Sequence, residues 1–123
     1  MVRGYNGLKV FQMAYKLSMA IYEQSKKFPR EERYSMTDQI RRASRSVSTN
    51  IAEGYRKRQY PNAFRSKMAN ADGEVGETQV WIDYARDCGY WPTALAEKLS
   101  SGYDEVGRML GAMIAHPEKF TPT

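Results

Sequence analysis

The sequence predicts an all-α fold, specifically an antiparallel up-and-down four-helix bundle. Along four segments apolar residues recur at alternating spacings of three and four, which places them on one face of a helix. Prolines separate these segments, and the short connections favour antiparallel neighbours. We therefore expect a single domain over residues 1–123, with helices at about 8–28, 36–58, 61–88 and 92–116.

The first two helices are defined by their apolar stripes and by the polar turn between them. Pro29 is expected to end helix one. The segment Ser35 to Asp38 resembles a capping arrangement and predicts the start of helix two. The predicted stripe of helix one is Phe11, Ala14, Ser18, Ile21, Ser25 and Phe28. That of helix two is Met36, Ile40, Ala43, Val47, Asn50 or Ile51, and Gly54.

Helices three and four each begin at a proline, a residue that is tolerated in the first helical turn. Pro61 opens helix three and Pro92 opens helix four. Gly73 and Gly76 weaken helix three, which indicates that another backbone approaches closely there. The predicted stripe of helix three is Phe64, Met68, Ala71, Val75, Thr78, Ile82 and Ala85. That of helix four is Leu95, Leu99, Gly102, Val106, Met109 or Leu110, and Met113.

Several kinds of chemistry are not supported by the residues present. Cys88 is the single cysteine, and His116 is the single histidine and has no glutamate three residues before it, so neither a cysteine-rich nor a di-iron site is indicated. No phosphate-binding glycine loop occurs. We predict no catalytic residues, no metal and no cofactor, and a protein that is not an enzyme. The absence of a long apolar run predicts a soluble, cytoplasmic protein without a membrane partner.

Three polar residues lie in or beside the predicted core. Asn50 falls in the buried register of helix two, where an amide must find hydrogen-bond partners. Glu53 and Glu77 flank the core on helices two and three. They could form an acid/base pair, but the favoured interpretation is that they bond with nearby arginines or with Asn50. We therefore predict that Asn50, Glu53 and Glu77 form a structural polar core that specifies helix register.

The net charge of +5 is unevenly distributed along the sequence. Residues 36–67 contain eight basic and two acidic residues, whereas residues 72–105 contain two basic and eight acidic ones. On helix two, four arginines project within an arc of about 100°, nearly opposite the apolar stripe. The predicted phosphate-contacting residues are Arg41, Arg42, Arg45, Arg56, Lys57 and Arg58.

Three interpretations of this basic face remain open. It could be a solvated helix face, a surface for RNA or DNA, or one side of a contact between copies whose other side is the acidic stretch of helices three and four. The many tyrosines and tryptophans outside the predicted stripes do not separate the last two, because both residue types occur at protein interfaces and also stack on unpaired bases.

One segment carries a resemblance to a known family. Residues 39–54, QIRRASRSVSTNIAEG, closely resemble the signature of the 23S rRNA intervening-sequence protein family, bacterial four-helix bundles first named for their genes in ribosomal RNA intervening sequences. Further similarity lies in residues 8–14, Phe28-Pro29, Phe64, Glu77-Thr78 and residues 88–90, so that it covers about residues 8–115. One departure is Glu74, near a position where relatives often carry serine.

The resemblance implies an up-and-down bundle that assembles into a homopentameric ring. The family is also similar to accessory proteins of diversity-generating retroelements, which are basic pentamers that work with a reverse transcriptase and bind nucleic acid. We therefore expect a non-enzymatic, self-assembling scaffold or adaptor that binds RNA or DNA through helix two. The alternative is a purely structural homo-oligomer or protein-interaction module that binds no nucleic acid.

Overall fold

The computed structural model describes residues 4–120, so the ends of the predicted domain, residues 1–3 and 121–123, lie outside the described residues. Four α-helices form the fold: α1 (Lys9–Ser25), α2 (Met36–Arg56), α3 (Pro61–Asp87) and α4 (Thr93–Ala115). Short 3-10 turns occupy Gly4–Gly7, Arg30–Glu32 and Pro117–Lys119. No strand occurs in the described range, which confirms the all-α prediction.

Each helix packs against its neighbours in the chain, and α4 closes the arrangement against α1. Within residues 4–120, no residue pair of α1 and α3, or of α2 and α4, approaches to 8 Å between Cα atoms. Ser18 in the middle of α1 meets Ser44 in the first half of α2, and Gln79 late in α3 meets Ser100 early in α4. Neighbouring helices therefore run antiparallel as predicted.

The core follows the predicted stripes closely in α3 and less closely in α4. All seven predicted residues of α3 are buried. In α4 four predicted positions are buried, Leu99, Val106, Leu110 and Met113, whereas Ala96 and Tyr103 take the places predicted for Leu95 and Gly102. The buried residues differ from the predicted ones in the first half of the helix because α4 carries two adjacent apolar stripes. Gly102 lies against Leu17 at the edge of the core. Trp91 and Tyr103, which the stripes leave outside, are 2% and 0% exposed.

The glycines show where helices come closest. A Cβ atom on Gly54 of α2 would lie 2.6 Å from Met68 Cε and 2.9 Å from Lys67 Cβ, so only glycine fits there without a shift of α3. By contrast, nothing lies within 4 Å of a Cβ built on Gly73 or Gly76. The expected close approach of a backbone to these two glycines is therefore wrong within a single chain.

The start of α2 is capped by a residue other than the predicted one. Ser35 makes no side-chain cap. The carboxylate of Glu32 accepts hydrogen bonds from Ser35 Oγ at 2.6 Å and from the Met36 amide at 3.4 Å. Its second oxygen accepts a bond from Tyr90 Oη at 2.8 Å, which raises the pKa of Tyr90 to about 12. The Arg30–Glu32 turn thus ties α2 to the connection between α3 and α4.

The predicted polar core of Asn50, Glu53 and Glu77 is wrong. Asn50 is half-buried and its amide donates to its own helix, at Ser46 O. Glu53 and Glu77 are exposed. The buried polar side chains are hydroxyls, which can bond to carbonyls of the preceding turn, as a carboxylate cannot. They are Ser18, Ser25, Ser44, Ser48 and Thr78.

Candidate nucleic-acid interface

A groove between α1 and α2 carries most of the basic residues that the sequence predicts to contact phosphate. Two depressions lie along it, and a third continues them where the Gly4–Gly7 turn meets the end of α2; the central one has a volume of about 330 Å³. None of the residues that line them is acidic. We call this surface the α1–α2 groove. Its cationic and aromatic residues are Tyr5, Tyr15, Tyr22, Lys26, Phe28, Arg30, Arg33, Arg41, Arg45, Tyr55, Arg56 and Arg58.

Tyr22 of α1 lies at the centre of this groove and organises three cations. Arg41, Lys26 and Arg45 lie 4.7, 4.9 and 5.9 Å from the centroid of its ring. Arg41 is held further by its Nε, which donates to Ser25 Oγ at 2.8 Å. A guanidinium over a tyrosine face gains cation–π energy while its remaining N–H groups stay available. The groove thus holds Arg41 and Arg45 without neutralising them.

The far end of the groove repeats the pairing of arginine with tyrosine. Arg58 lies 4.1 Å from the centroid of the Tyr55 ring, and its Nη1 donates to Tyr55 O at 3.1 Å. The same ring lies against Gly4, where a Cβ atom would lie 2.9 Å from Tyr55 Cε2 and the backbone φ is +70°. Both the contact and the left-handed φ favour glycine at this position.

Of the six basic residues predicted from the sequence, four line the groove and two do not. Arg41 and Arg45 line the first half of the groove, and Arg56 and Arg58 line its end. Fifteen residues of helix, about 22 Å, separate Arg41 from Arg56. Arg42 and Lys57 are exposed but line none of the three depressions. Among the described residues, none of the six has a carboxylate oxygen within 4.0 Å.

Sequence reasoning missed the contribution of α1 and of the turn that follows it. Tyr15, Met19 and Tyr22 lie four and three residues apart, which puts them on one helix face beside the apolar stripe. Lys26, Arg30 and Arg33 follow, and all three line the groove. Glu31 and Glu32, which lie between the two arginines in the sequence, do not line it. This spacing was the available signal, but it identifies a groove only once α2 is known to be the neighbour.

The opposite side of the molecule is acidic, and two of its three arginines are paired with carboxylates, whereas Arg65 Nε donates to Ile114 O at 3.2 Å. Arg86 contacts Asp83 at 3.5 Å and Asp87 at 2.8 Å. Arg108 contacts Glu105. Glu53 of α2 contacts Lys67 at 2.7 Å, and chiefly this bond, with a smaller effect of the Lys57 charge, holds the pKa of Glu53 below its ordinary value. Lys67, Arg86 and Arg108 are thus engaged with carboxylates, whereas Arg41 and Arg45 in the groove are not.

No other constellation with a chemical role stands out. Residues 4–120 contain no group of three or more histidine, cysteine, aspartate or glutamate side chains that could hold a metal ion. His116 contacts Glu118 at 3.3 Å, and Cys88 is exposed. Glu53 and Glu77, considered above as an acid/base pair, have different partners, because Glu77 accepts a bond from Trp81 Nε1 at 3.4 Å. Within this range no helix is long and apolar enough to cross a membrane.

The fold and this surface define a class, that of small all-helical proteins with a basic groove between the first two helices. The family model described as 23S rRNA-intervening sequence protein matches residues 6–112. The chain therefore belongs to that family, which confirms the resemblance seen in residues 39–54.

A solved structure supports the fold independently. It is a protein of unknown function from the S23 ribosomal protein family of Bacteroides thetaiotaomicron. The two chains are 24% identical, and the similarity covers 85% of this chain and 97% of the other, with a TM-score of 0.77. At this identity the similarity establishes the fold alone. No curated protein matches the sequence at a significant level.

Proposed function

We propose that this chain is a non-enzymatic, self-associating scaffold or adaptor that binds RNA or DNA through the α1–α2 groove. The observation that carries the proposal is the set of cations over Tyr22 and Tyr55 that lack a carboxylate partner. Lys26 is the exception, since it also contacts Glu23 at 3.2 Å. The arginines can therefore exchange water for phosphate without first breaking an ion pair.

The composition of the groove favours single strands over a duplex. Proteins that bind single strands combine a cationic track for the phosphates with aromatic rings on which bases stack. The groove supplies both, because Tyr15 is 55% exposed beside Arg45 in the central depression. A duplex would keep its bases stacked internally and would use only the cations.

The test is a titration with labelled single-stranded and duplex RNA and DNA over a series of salt concentrations. Each phosphate contact that is lost reduces the slope of log K against log salt, by about 0.7 for single strands. The variant Arg41→Ala/Arg42→Ala/Arg45→Ala should therefore lose about 1.4 units of slope, from the contacts of Arg41 and Arg45, which line the groove, with at least a tenfold loss of affinity at low salt. Circular dichroism should show unchanged helix content.

A matched control separates this effect from net charge. The variant Arg65→Ala/Arg86→Ala/Arg108→Ala removes the same number of arginines from α3 and α4, outside the groove. It should retain most of the affinity. Equal losses in both variants, or no binding by the unaltered protein at low salt, would contradict the proposed function.

A second candidate is the structural homo-oligomer, for which the family resemblance implies a pentameric ring. It is favoured by the opposite charges of the two sides of the molecule, since arginines of α2 could pair with carboxylates on α3 and α4 of the next copy. In that case the variant of Arg41, Arg42 and Arg45 should fall to single chains in size-exclusion chromatography with light scattering. Under the first candidate its mass should not change.

A further inference from the structure

A second groove runs between α1 and α4, and it is apolar. Its walls are Met13, Leu17 and Ala20 of α1 and Leu99 and Gly102 of α4, and its volume is about 400 Å³. One lysine stands on each wall, Lys16 on α1 and Lys98 on α4, and no acidic residue lines it. We call this surface the α1–α4 groove.

The floor of the α1–α4 groove depends on a glycine. A Cβ atom on Gly102 would lie 2.6 Å from Leu17 Cδ2, so the missing side chain lets Leu17 lie against the backbone of α4. Met13 and Ala20 remain half-buried on either side of Leu17. Towards the end of the bundle the apolar surface continues past Val10 and Met109. The result is a shallow apolar channel that this chain leaves uncovered.

An apolar ridge of matching length lies on the outer face of α3. Gly73, Gly76, Val80 and Tyr84 fall within an arc of about 80° at 100° per residue. Val80 is 52% exposed and Tyr84 is 53% exposed. The ridge from Gly73 to Tyr84 spans eleven residues, about 17 Å, and so does the apolar surface along α4 that begins at Lys98 in the groove and continues beyond it to Met109. We call this surface the α3 ridge.

The two glycines of the α3 ridge have no explanation within one chain. Each costs about 0.5–1 kcal/mol relative to alanine inside a helix. Nothing lies within 4 Å of a Cβ atom built on either of them. Glycine at such positions allows the backbone of a second element to approach closely.

Charge also matches between the ridge and the groove. Glu77 and Asp83 flank the α3 ridge, about 40° to one side and 80° to the other of Gly73. Both are exposed, and Asp83 shares Arg86 with Asp87. A ridge with a carboxylate on each flank is thus complementary in charge to a groove with a lysine on each wall.

We propose that the α3 ridge of one copy docks into the α1–α4 groove of a second copy. This inference rests on the self-association in the proposed function, but it assigns the contact to surfaces other than the α1–α2 groove. Because the two surfaces differ, the contact is head-to-tail, and repeated copies form a ring when the rotation closes. All copies then keep the α1–α2 groove open to nucleic acid.

The test is the molar mass in solution, measured by light scattering after size-exclusion chromatography over a range of protein concentrations. Gly76→Gln places a bulky side chain on the α3 ridge and should reduce the mass towards 14.2 kDa, that of one chain. Gly111→Gln is the matched control, because Gly111 is also exposed, helical and without neighbours within 4 Å, but lies outside both surfaces. It should keep the mass of the unaltered protein.

Charge reversal provides a second, independent variant. Lys16→Glu/Lys98→Glu should dissociate the assembly, and adding Glu77→Lys/Asp83→Lys to the same chain should restore it. An assembly that survives both Gly76→Gln and the lysine reversals would overturn the inference while leaving self-association intact. If instead the variant of Arg41, Arg42 and Arg45 dissociates, the contact uses the α1–α2 groove. Affinity for a short oligonucleotide, measured on the Gly76→Gln variant, tests the proposed function separately and should be unchanged.

Discussion

The two halves of the molecule, α1 with α2 and α3 with α4, differ in how most of their arginines are partnered. Arg86 and Arg108 in the second half are bound to carboxylates one to three residues away. In the first half Arg41 and Arg45 lie over a tyrosine ring, and neither has a carboxylate within 4.0 Å in the described part of the chain.

The difference shows that the availability of a cation depends on its neighbours more than on the net charge. A surface ion pair contributes little to stability, but it occupies the guanidinium that a phosphate would need. An aromatic ring orients the same group and leaves its charge uncompensated. The first half is therefore suited to a polyanion, and the second half, with its spare carboxylates and exposed apolar ridge, is suited to a protein contact.

The contact between α2 and α3, which we call the seam, joins the two halves, and weakening it should have the largest effect on stability. Gly54→Ala forces the new methyl group against Met68 Cε and Lys67 Cβ, at 2.6 and 2.9 Å in the present geometry. Because Lys67 Cβ cannot rotate away, α2 and α3 must separate, and we expect a loss of about 2 kcal/mol in the free energy of unfolding. Urea denaturation followed by circular dichroism measures it. A neutral or stabilising effect would show that the seam is loose.

Removing the ring at the centre of the α1–α2 groove should have the next largest effect. Tyr22→Ala takes away the face over which Lys26, Arg41 and Arg45 lie, together with a stacking surface. We expect affinity for a single strand to fall about tenfold, or about 1.4 kcal/mol. Fluorescence anisotropy with a labelled oligonucleotide measures this.

Two further variants show whether the ring itself is responsible. Tyr22→Phe keeps the ring and should bind like the unaltered protein. Tyr60→Ala removes an exposed ring outside the groove and should also have no effect. If Tyr60→Ala weakened binding as much as Tyr22→Ala, the groove would not be the site.

The sequence predicts α3 better than α4 for a physical reason. In α3 a single apolar stripe runs from Phe64 to Ala85, so burial has only one solution. In α4 two adjacent stripes are both apolar, and tertiary packing selects the one with Tyr103, whose pKa is raised by burial. The choice depends on Leu17 of another helix, which periodicity within α4 cannot reveal.

The candidate site was predictable in its cations but not in its shape. The arginines of α2 were evident from their arc, whereas Tyr22 and Lys26 come from α1 and required knowledge of which face of α1 borders α2. Asn50, predicted in the core, bonds instead to Ser46 O in its own helix. Such local bonds satisfy an amide at the edge of a bundle, so a polar residue in the apolar register is no evidence of a polar core.

In the second half, an exposed glycine gives a smaller effect of the opposite sign to Gly54→Ala. Gly111→Ala adds a methyl group where nothing lies within 4 Å. Since alanine restricts the unfolded chain and favours helix, we expect the free energy of unfolding to rise by about 0.7 kcal/mol. Thermal denaturation at fixed protein concentration measures the change. A loss of stability would indicate that Gly111 is covered in the assembled protein.

The smallest expected effect concerns the carboxylate of Glu74 in α3. Burial, and then the neighbouring Glu77, raise the pKa of Glu74 above its ordinary value of 4.5. Folding therefore favours the protonated form, and stability falls as the pH rises from below 4.5 through the folded-state pKa. Glu74→Gln should accordingly increase the free energy of unfolding at neutral pH by less than about 0.5 kcal/mol, and the advantage should disappear at acidic pH.

Glu53 is the counterpart with the opposite sign, because its bond to Lys67 lowers its pKa. Its contribution is present above the ordinary pKa of 4.5 and is lost as the pH falls through the lowered value. Glu53→Gln should therefore destabilise the protein at neutral pH and converge with the unaltered protein in acid. Denaturation curves for both variants from acidic to neutral pH test the pair. If both variants changed the free energy of unfolding in the same direction at neutral pH, the opposite roles assigned to Glu53, which is paired with Lys67, and to Glu74, which lies near Glu77, would be wrong.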